Sequence, residues 1–234
     1  MRFNIISIIC LIFVLTACQK NVQQVVYQSP IVVQDKSKVK PVAITKVVGK
    51  LRRGQAIGQL QIGLLCLPQN KIRWKSGGKV NLSSEELVDV FKDELEKNGW
   101  PVVGSTEDLF TGYDVSGAEI LIAAKIKDID STVCLKMAGF GNYSDGTGSM
   151  RIKVIWQIYN PSIKVIIGEI ETSGSSSIEE MTPETTYELL NNSFAMSVNN
   201  LLASDKFIKM TDRIDQLVEV ETDKDKYVLK NKNN

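Results

Sequence analysis

Met150-Arg151-Ile152-Lys153-Val154-Ile155-Trp156-Gln157-Ile158-Tyr159 is the stretch on which the fold turns. Met150, Ile152, Val154, Trp156 and Ile158 fall on one side of an extended chain, and Arg151, Lys153 and Gln157 on the other. A period of two marks a strand with one face on a core and one toward water. Asn160-Pro161-Ser162 turns the chain, and Ile163 to Thr172 pairs back as an antiparallel hairpin. Ser173 to Ser177 reads as a polar loop beyond it.

Upstream, Ala118 to Ile129 is apolar at its start and then alternates, as a central strand does when it runs out to a more exposed end near Cys134. Gly139 to Gly148 is glycine-rich. No helix follows it to supply a dipole for an anion, so a long hairpin loop is the expectation and a ligand-cradling nest the lesser alternative. Earlier still, Ile57, Leu60, Ile62, Leu64 and Leu65 form a strand-like run into Cys66, bracketed by Gly54 and Pro68, with Ile72-Arg73-Trp74 as a short partner. Ser76-Gly77-Gly78-Lys79 is a turn.

Two helices stand out. Ser83 with Glu86 forms a capping box, Leu82 and Leu87 a hydrophobic staple, and Leu87, Val90, Phe91 and Leu95 one apolar face, with Gly99 as the stop. Trp100-Pro101-Val102-Val103 follows as a short strand. In the second helix Thr182 is the N-cap, Pro183 the first helical residue, and Tyr187, Leu190, Phe194, Val198 and Leu201 the buried stripe. The expected fold class is α+β: a largely antiparallel sheet with two main helices packed on it, in a single domain.

The N-terminus decides location. Arg2, the apolar run Ile5 to Leu15 and the small residues before Cys18 have the layout of a secretory signal peptide. Leu15-Thr16-Ala17-Cys18 resembles the lipobox of bacterial lipoproteins, in which the cysteine sulfur carries diacylglycerol and becomes the new N-terminus, with palmitate among the acyl groups. Two or three acyl chains anchor stably where one is marginal. Gln19, where an aspartate is absent, implies transfer to the outer membrane, at its periplasmic face, if the source is Gram-negative. The expected organisation is a signal peptide over 1–17, a lipidated N-terminus and flexible basic tether over 18–54, a globular domain over 55–207, and a charged tail over 208–234. That tail holds one amphipathic helix from Ile208 to Val220 and then disorder. Lys20, Lys36, Lys38, Lys40, Lys46, Lys50, Arg52 and Arg53 against Asp35 make the tether basic, to touch anionic headgroups or simply to stay solvated.

The chain of 234 residues contains no histidine. That removes Ser-His-Asp and Cys-His nucleophiles and the commonest zinc ligand. There is no phosphate-binding Gly-x-x-x-x-Gly-Lys loop and no calcium-loop spacing, so neither a catalytic residue, a metal nor a cofactor is expected. A net charge of +1 and an extracytoplasmic address argue against nucleic acid, and a small-molecule ligand is not expected. Asp128 and Asp130 are the carboxylates to weigh for an enzyme, with solvated surface the plainer reading. Cys10 leaves with the signal and Cys18 goes to lipid, so Cys66 and Cys134 remain in an oxidising compartment, and a disulfide between them is the natural pairing. Two free buried thiols are the alternative.

A second resemblance covers roughly residues 54 to 207. Gly63-Leu64-Leu65-Cys66-Leu67-Pro68, the helix with Phe91 and Glu94-Leu95, Gly99-Trp100-Pro101-Val102-Val103-Gly104 with Leu109-Phe110, Cys134, Ala138-Gly139-Phe140-Gly141 and Val154-Ile155-Trp156-Gln157-Ile158-Tyr159 are similar to an uncharacterised module that precedes trypsin-like serine protease domains in some proteobacteria. It carries both cysteines, which supports their pairing. No protease domain follows here, so the resemblance implies a binding or scaffolding unit. The expectation is a non-enzymatic outer-membrane lipoprotein that binds other envelope proteins as part of a multi-protein machine, such as a secretion-system outer-membrane core or assembly complex. The alternative is a regulatory or substrate-recognition module for a separate trypsin-like protease.

Overall fold

A computed structural model describes residues 22–74, 84–104, 115–138, 142–180 and 185–213. The signal peptide with Cys18, Leu82 and Ser83, the Ser76–Lys79 turn, Leu109-Phe110, Gly139–Gly141, Thr182–Glu184 and the tail from Ile214 lie outside the described residues.

The chain order is β1 (Val42–Gly49), β2 (Ala56–Ile62), β3 (Leu67–Arg73), α1 (Ser84–Lys97), β4 (Ile120–Ala138), β5 (Asn142–Asn160), β6 (Val165–Ile178), α2 (Thr185–Leu202) and α3 (Asp205–Thr211). The strands make one mixed, mostly antiparallel sheet in the order β3-β2-β4-β5-β6, with β1 also on β4. β4 pairs with β5 along its whole length, from Leu121↔Tyr159 to Ala138↔Asn142. Its other edge is shared end to end: β1 runs parallel beside Ile120–Ile126, and β2 parallel beside Ser131–Leu135. This is the α+β, single-domain, helix-on-sheet architecture that the alternation and the two amphipathic stretches imply.

The inner face of β4 shows how register is kept over 19 residues. Ile120, Ile122, Ala124 and Ile126 are buried in alternation, then a bulge between Ile126 and Asp128 shifts the phase so that Ile129 continues the core. An extra residue on one strand moves every later side chain to the opposite face. That shift turns Asp128 and Asp130 outward.

Leu87, Val88, Phe91 and Leu95 of α1 and Leu189, Leu190, Phe194, Val198, Leu201 and Leu202 of α2 close the core over β5. Trp156 bridges them, with ring centroids 5.6 Å from Phe91 and 5.5 Å from Phe194. Burial of each such aromatic or Leu side chain contributes about 1.5–3 kcal/mol. Two helix-face assignments shift by two positions. Val88 takes the fully buried place with Val90 half-buried beside it, and Tyr187 is 40% exposed while Leu189 is buried. Gly99 ends α1 at φ +76°, with Trp100 N–H donating to the Leu95 carbonyl at 3.0 Å.

Four segments differ from the sequence reading. Residues 22–50, read within a flexible tether over 18–54, are held on the domain: the segment before β1 is hydrogen-bonded to it, and β1 is a core strand, with Val42, Ala43, Ile44 and Val47 buried. The domain therefore begins well before residue 55, and it ends beyond 207, since Lys40 N–H bonds the Thr211 carbonyl and Val39 bridges Asp212. Trp100–Val103 is reduced to a single parallel bridge, Val102 to Val42. Asn142–Gly148, read as loop, belongs to β5, and Ser173–Ser177, read as a polar loop, is the second half of β6. In both cases the long partner strand offers hydrogen bonds that outweigh weak local strand propensity. Of the expected Ile208–Val220 helix, Ile208–Thr211 fall in α3 and the rest lies largely outside the described residues.

Candidate functional site

The residues before β1 form a strap around the domain. Val22, buried, lies over the outer face of the sheet in a cavity of about 170 Å³ with Gly58, Gln59, Lys71, Asp130 and Thr132. Gln23 Oε1 faces Arg151 Nη1 of β5 at 3.5 Å. Val25 N–H and Gln24 Oε1 then meet Ser175 Oγ of β6 at 2.9 and 3.1 Å. Past the β6 edge, Asn200 of α2 accepts from Gln28 N–H at 2.8 Å and donates to the Val26 carbonyl at 3.4 Å. The strap continues across the helix ends: Ile31 takes the Trp100 indole N–H at 3.3 Å, and Val33 N–H donates to Asn98 O at 2.8 Å. A Cβ on Gly99 would sit 2.2 Å from the Val33 carbonyl, so only glycine admits the strap there.

Beneath the strap, α2 approaches β6 through small residues. Trp156 Nε1–H donates to Thr172 Oγ1 at 2.7 Å, and Thr172 donates to the Ser197 carbonyl at 2.9 Å. Ser176 donates to the Leu189 carbonyl at 2.7 Å and lies 2.8 Å from Ser193 Oγ. Gly174, between them, has no room for a Cβ: Ser193 O would be 1.9 Å away. The serines sequence reading placed in a loop are thus satisfied polar groups of a tight helix–sheet seam. The available signal was the spacing of Thr172, Gly174 and Ser176 at every second position, a small-residue face rather than a turn.

Asp128 and Asp130 face outward and half-exposed, opposite Lys153 and Arg151 in the β4–β5 register. Asp130 lines the small cavity under Val22 together with Lys71, and Asp128 is not among the residues that line it. Nearby, Glu171 pairs with Lys127 at 2.9 Å and Lys153 at 3.7 Å, and the Lys127 hydrogen bond holds its carboxyl below the ordinary range. Among the described residues no group of three His, Cys, Asp or Glu is placed to hold a metal. A polar groove of about 550 Å³ runs between the strap and β6, walled by Val25, Gln28, Glu171, Ser173, Asn200 and Asp205.

The far end of the sheet carries the two cysteines. Cys66 and Cys134 form a disulfide with Cα atoms 5.4 Å apart, across a sequence separation of 68. It ties the β2–β3 turn to β4. Gly63 and Cys66 take left-handed backbone at φ +88° and +49°, and Gly63 N–H bonds the Leu135 carbonyl at 2.9 Å. This tight turn leaves Leu64 and Leu65, read as the end of the strand, at 88% and 72% exposure. β3 beyond it is exposed along nearly its whole length and has β2 as its one strand neighbour among the described residues. Cys18 is outside the described residues.

No protein-family profile matches the chain, and no curated protein matches it. Solved structures do. A Xanthomonas campestris protein of the DUF330 family aligns with TM-score 0.37 and 8% identity over 77% of this chain and 93% of its own. A Helicobacter pylori protein described as a neuraminyllactose-binding hemagglutinin homologue gives TM-score 0.36 and 11% identity over 80% and 96%. A minor lipoprotein from Acinetobacter baumannii gives 0.28 and 10% over 72% and 97%. Values this low place the chain in no family, and the likeness to a protease-associated module is carried by none of these three.

Proposed function

We propose that the protein is a non-enzymatic, lipid-anchored component of a multi-protein machine of the bacterial cell envelope, held at the periplasmic face of the outer membrane. A secretion-system outer-membrane core or an assembly complex is the concrete form. The lipobox Leu15-Thr16-Ala17-Cys18 supports the anchor. The docking part rests on one observation, the outer edge of β3, which has no strand beside it among the described residues and so offers its backbone to a partner strand. Pro68 interrupts donors at one end only, leaving Gln69 to Arg73 to pair. The protein's mechanism is positional: the lipid fixes it to the leaflet and β3 engages the neighbour.

A photo-crosslinking residue at exposed Asn70, in intact cells, tests this. Capture of envelope-machine subunits that is lost when Cys18→Ser mislocalises the protein is expected. Capture of a trypsin-like protease instead would replace this reading with the regulatory one, and no adduct at Asn70 would refute docking through β3. Feeding an alkyne fatty acid should label the wild type and not Cys18→Ser.

A further inference from the structure

We propose that the Leu64-Leu65-Cys66-Leu67 turn is a second membrane contact, which buries its leucines in the same leaflet that holds the acyl chains on Cys18. The inference rests on the lipidation reading above and adds an orientation to it.

Reach is the first argument. Had the segment after Cys18 been a free tether, the domain could hang at any angle. Instead Val22 is already fixed on the sheet, beside Gly58, Lys71 and Thr132. The four residue steps from Cys18 to Val22 span at most about 13–14 Å. The bilayer surface must therefore pass within that distance of Val22.

Position is the second. The strap crosses from β6 over β5 to β4 and β2 as it is followed back toward Cys18, so it leads toward the β2–β3 side of the sheet. From Thr132, level with Val22, to Leu135, bonded to Gly63, is about 10 Å along β4. The turn thus lies within the zone the anchor brings to the membrane. The exposed Ile163, Val165 and Ile166 sit at the other end of the sheet, about 45 Å away along β4.

Shape is the third. Leu64, Leu65 and Leu67 are 88%, 72% and 57% exposed. They project from a turn that the Cys66–Cys134 bond holds to β4, so they cannot fold back onto the sheet to escape water. Adjacent exposed leucines on a rigid turn suit hydrocarbon, and Lys71 on β3 and Lys136 on β4 are placed for anionic headgroups.

The test uses the full acylated protein in vesicles of phosphatidylethanolamine and phosphatidylglycerol, with and without bromine on the acyl chains. Leu64→Trp, Val26→Trp and Ile163→Trp each add one fluorophore at an exposed site, read against the natural tryptophans of the wild type. Acylation of Cys18 is checked by mass and by vesicle flotation on the same samples. The expected result is blue-shifted emission that brominated lipid abolishes for Leu64→Trp and leaves unchanged for the other two. If Cys18 is acylated and the protein floats, yet Leu64→Trp is quenched no more than Ile163→Trp, the lipid anchor stands and the turn faces a protein or a second copy. Quenching at Val26→Trp in its place would overturn the orientation. Absence of acyl groups and of flotation would remove the anchor itself, and this proposal with it.

Discussion

Gly174→Ala should be among the most damaging single-methyl additions this protein can receive. A Cβ there would lie 1.9 Å from Ser193 O and 2.6 Å from Ser197 N, both backbone atoms of α2. Real contacts are essentially never under 3.0 Å, so α2 must retreat by about 1 Å or β6 must bend. Retreat stretches the Ser176–Ser193 pair from 2.8 Å and the Thr172–Ser197 pair from 2.7 Å, and loosens Phe194 and Val198, both fully buried. Two weakened hydrogen bonds and an overpacked seam together cost about 2–4 kcal/mol, or roughly 5–15 °C in Tm for a domain of this size. Gly168→Ala is the control on the same strand. Its Cβ would meet the end of the Met210 side chain at 2.1 Å, which can swing away, so the cost should stay below about 1 kcal/mol. Urea unfolding of the unacylated protein, disulfide intact, measures both variants, with unchanged slope as the check on cooperativity. If Gly174→Ala loses no more stability than Gly168→Ala, α2 does not pack on β6 as closely as described.

Three further outcomes are expected. Without reductant, alkylation should modify neither Cys66 nor Cys134, and replacing both with Ser should cost about 4 kcal/mol by the loop-entropy relation, less if the unfolded chain retains structure. Asn200→Ala removes the partner of Gln28 N–H, so hydrogen exchange at Val26–Gln28 should accelerate while amides of β4 and β5 stay protected; acceleration everywhere would mean that Asn200 holds the domain and not the strap. Glu171 should titrate below its ordinary 4.5 because the hydrogen bond from Lys127 favours the carboxylate. Its folded value being depressed, its contribution is fully present above pH 4.5 and is lost as pH falls through the folded value. Carboxyl NMR of Glu171 in the wild type and in Lys127→Ala reads it, and equal midpoints in the two would refute the pairing.

Local patterns of residues were enough for some of the elements. The alternation over Met150–Tyr159 fixed a half-buried strand, and that strand is β5, with Met150, Ile152, Val154, Trp156 and Ile158 all buried. Leu87, Phe91 and Leu95 at helical spacing located α1, and counting thiols paired Cys66 with Cys134. The other elements depend on contacts between distant segments. Val42-Ala43-Ile44 is too short an apolar run among lysines to announce a core strand. It becomes one because Ile120–Ile126, nearly eighty residues later, offers a free parallel edge. Ser173–Ser177 has turn composition, yet its small side chains are what allow α2 to come within hydrogen-bonding distance of β6. The outward aim of Asp128 and Asp130 depends on the bulge after Ile126, and the exposure of Leu64 and Leu65 on the left-handed turn that the disulfide pins. Periodicity reports which face of a segment is buried, but partners distant in sequence decide whether that segment is ordered at all.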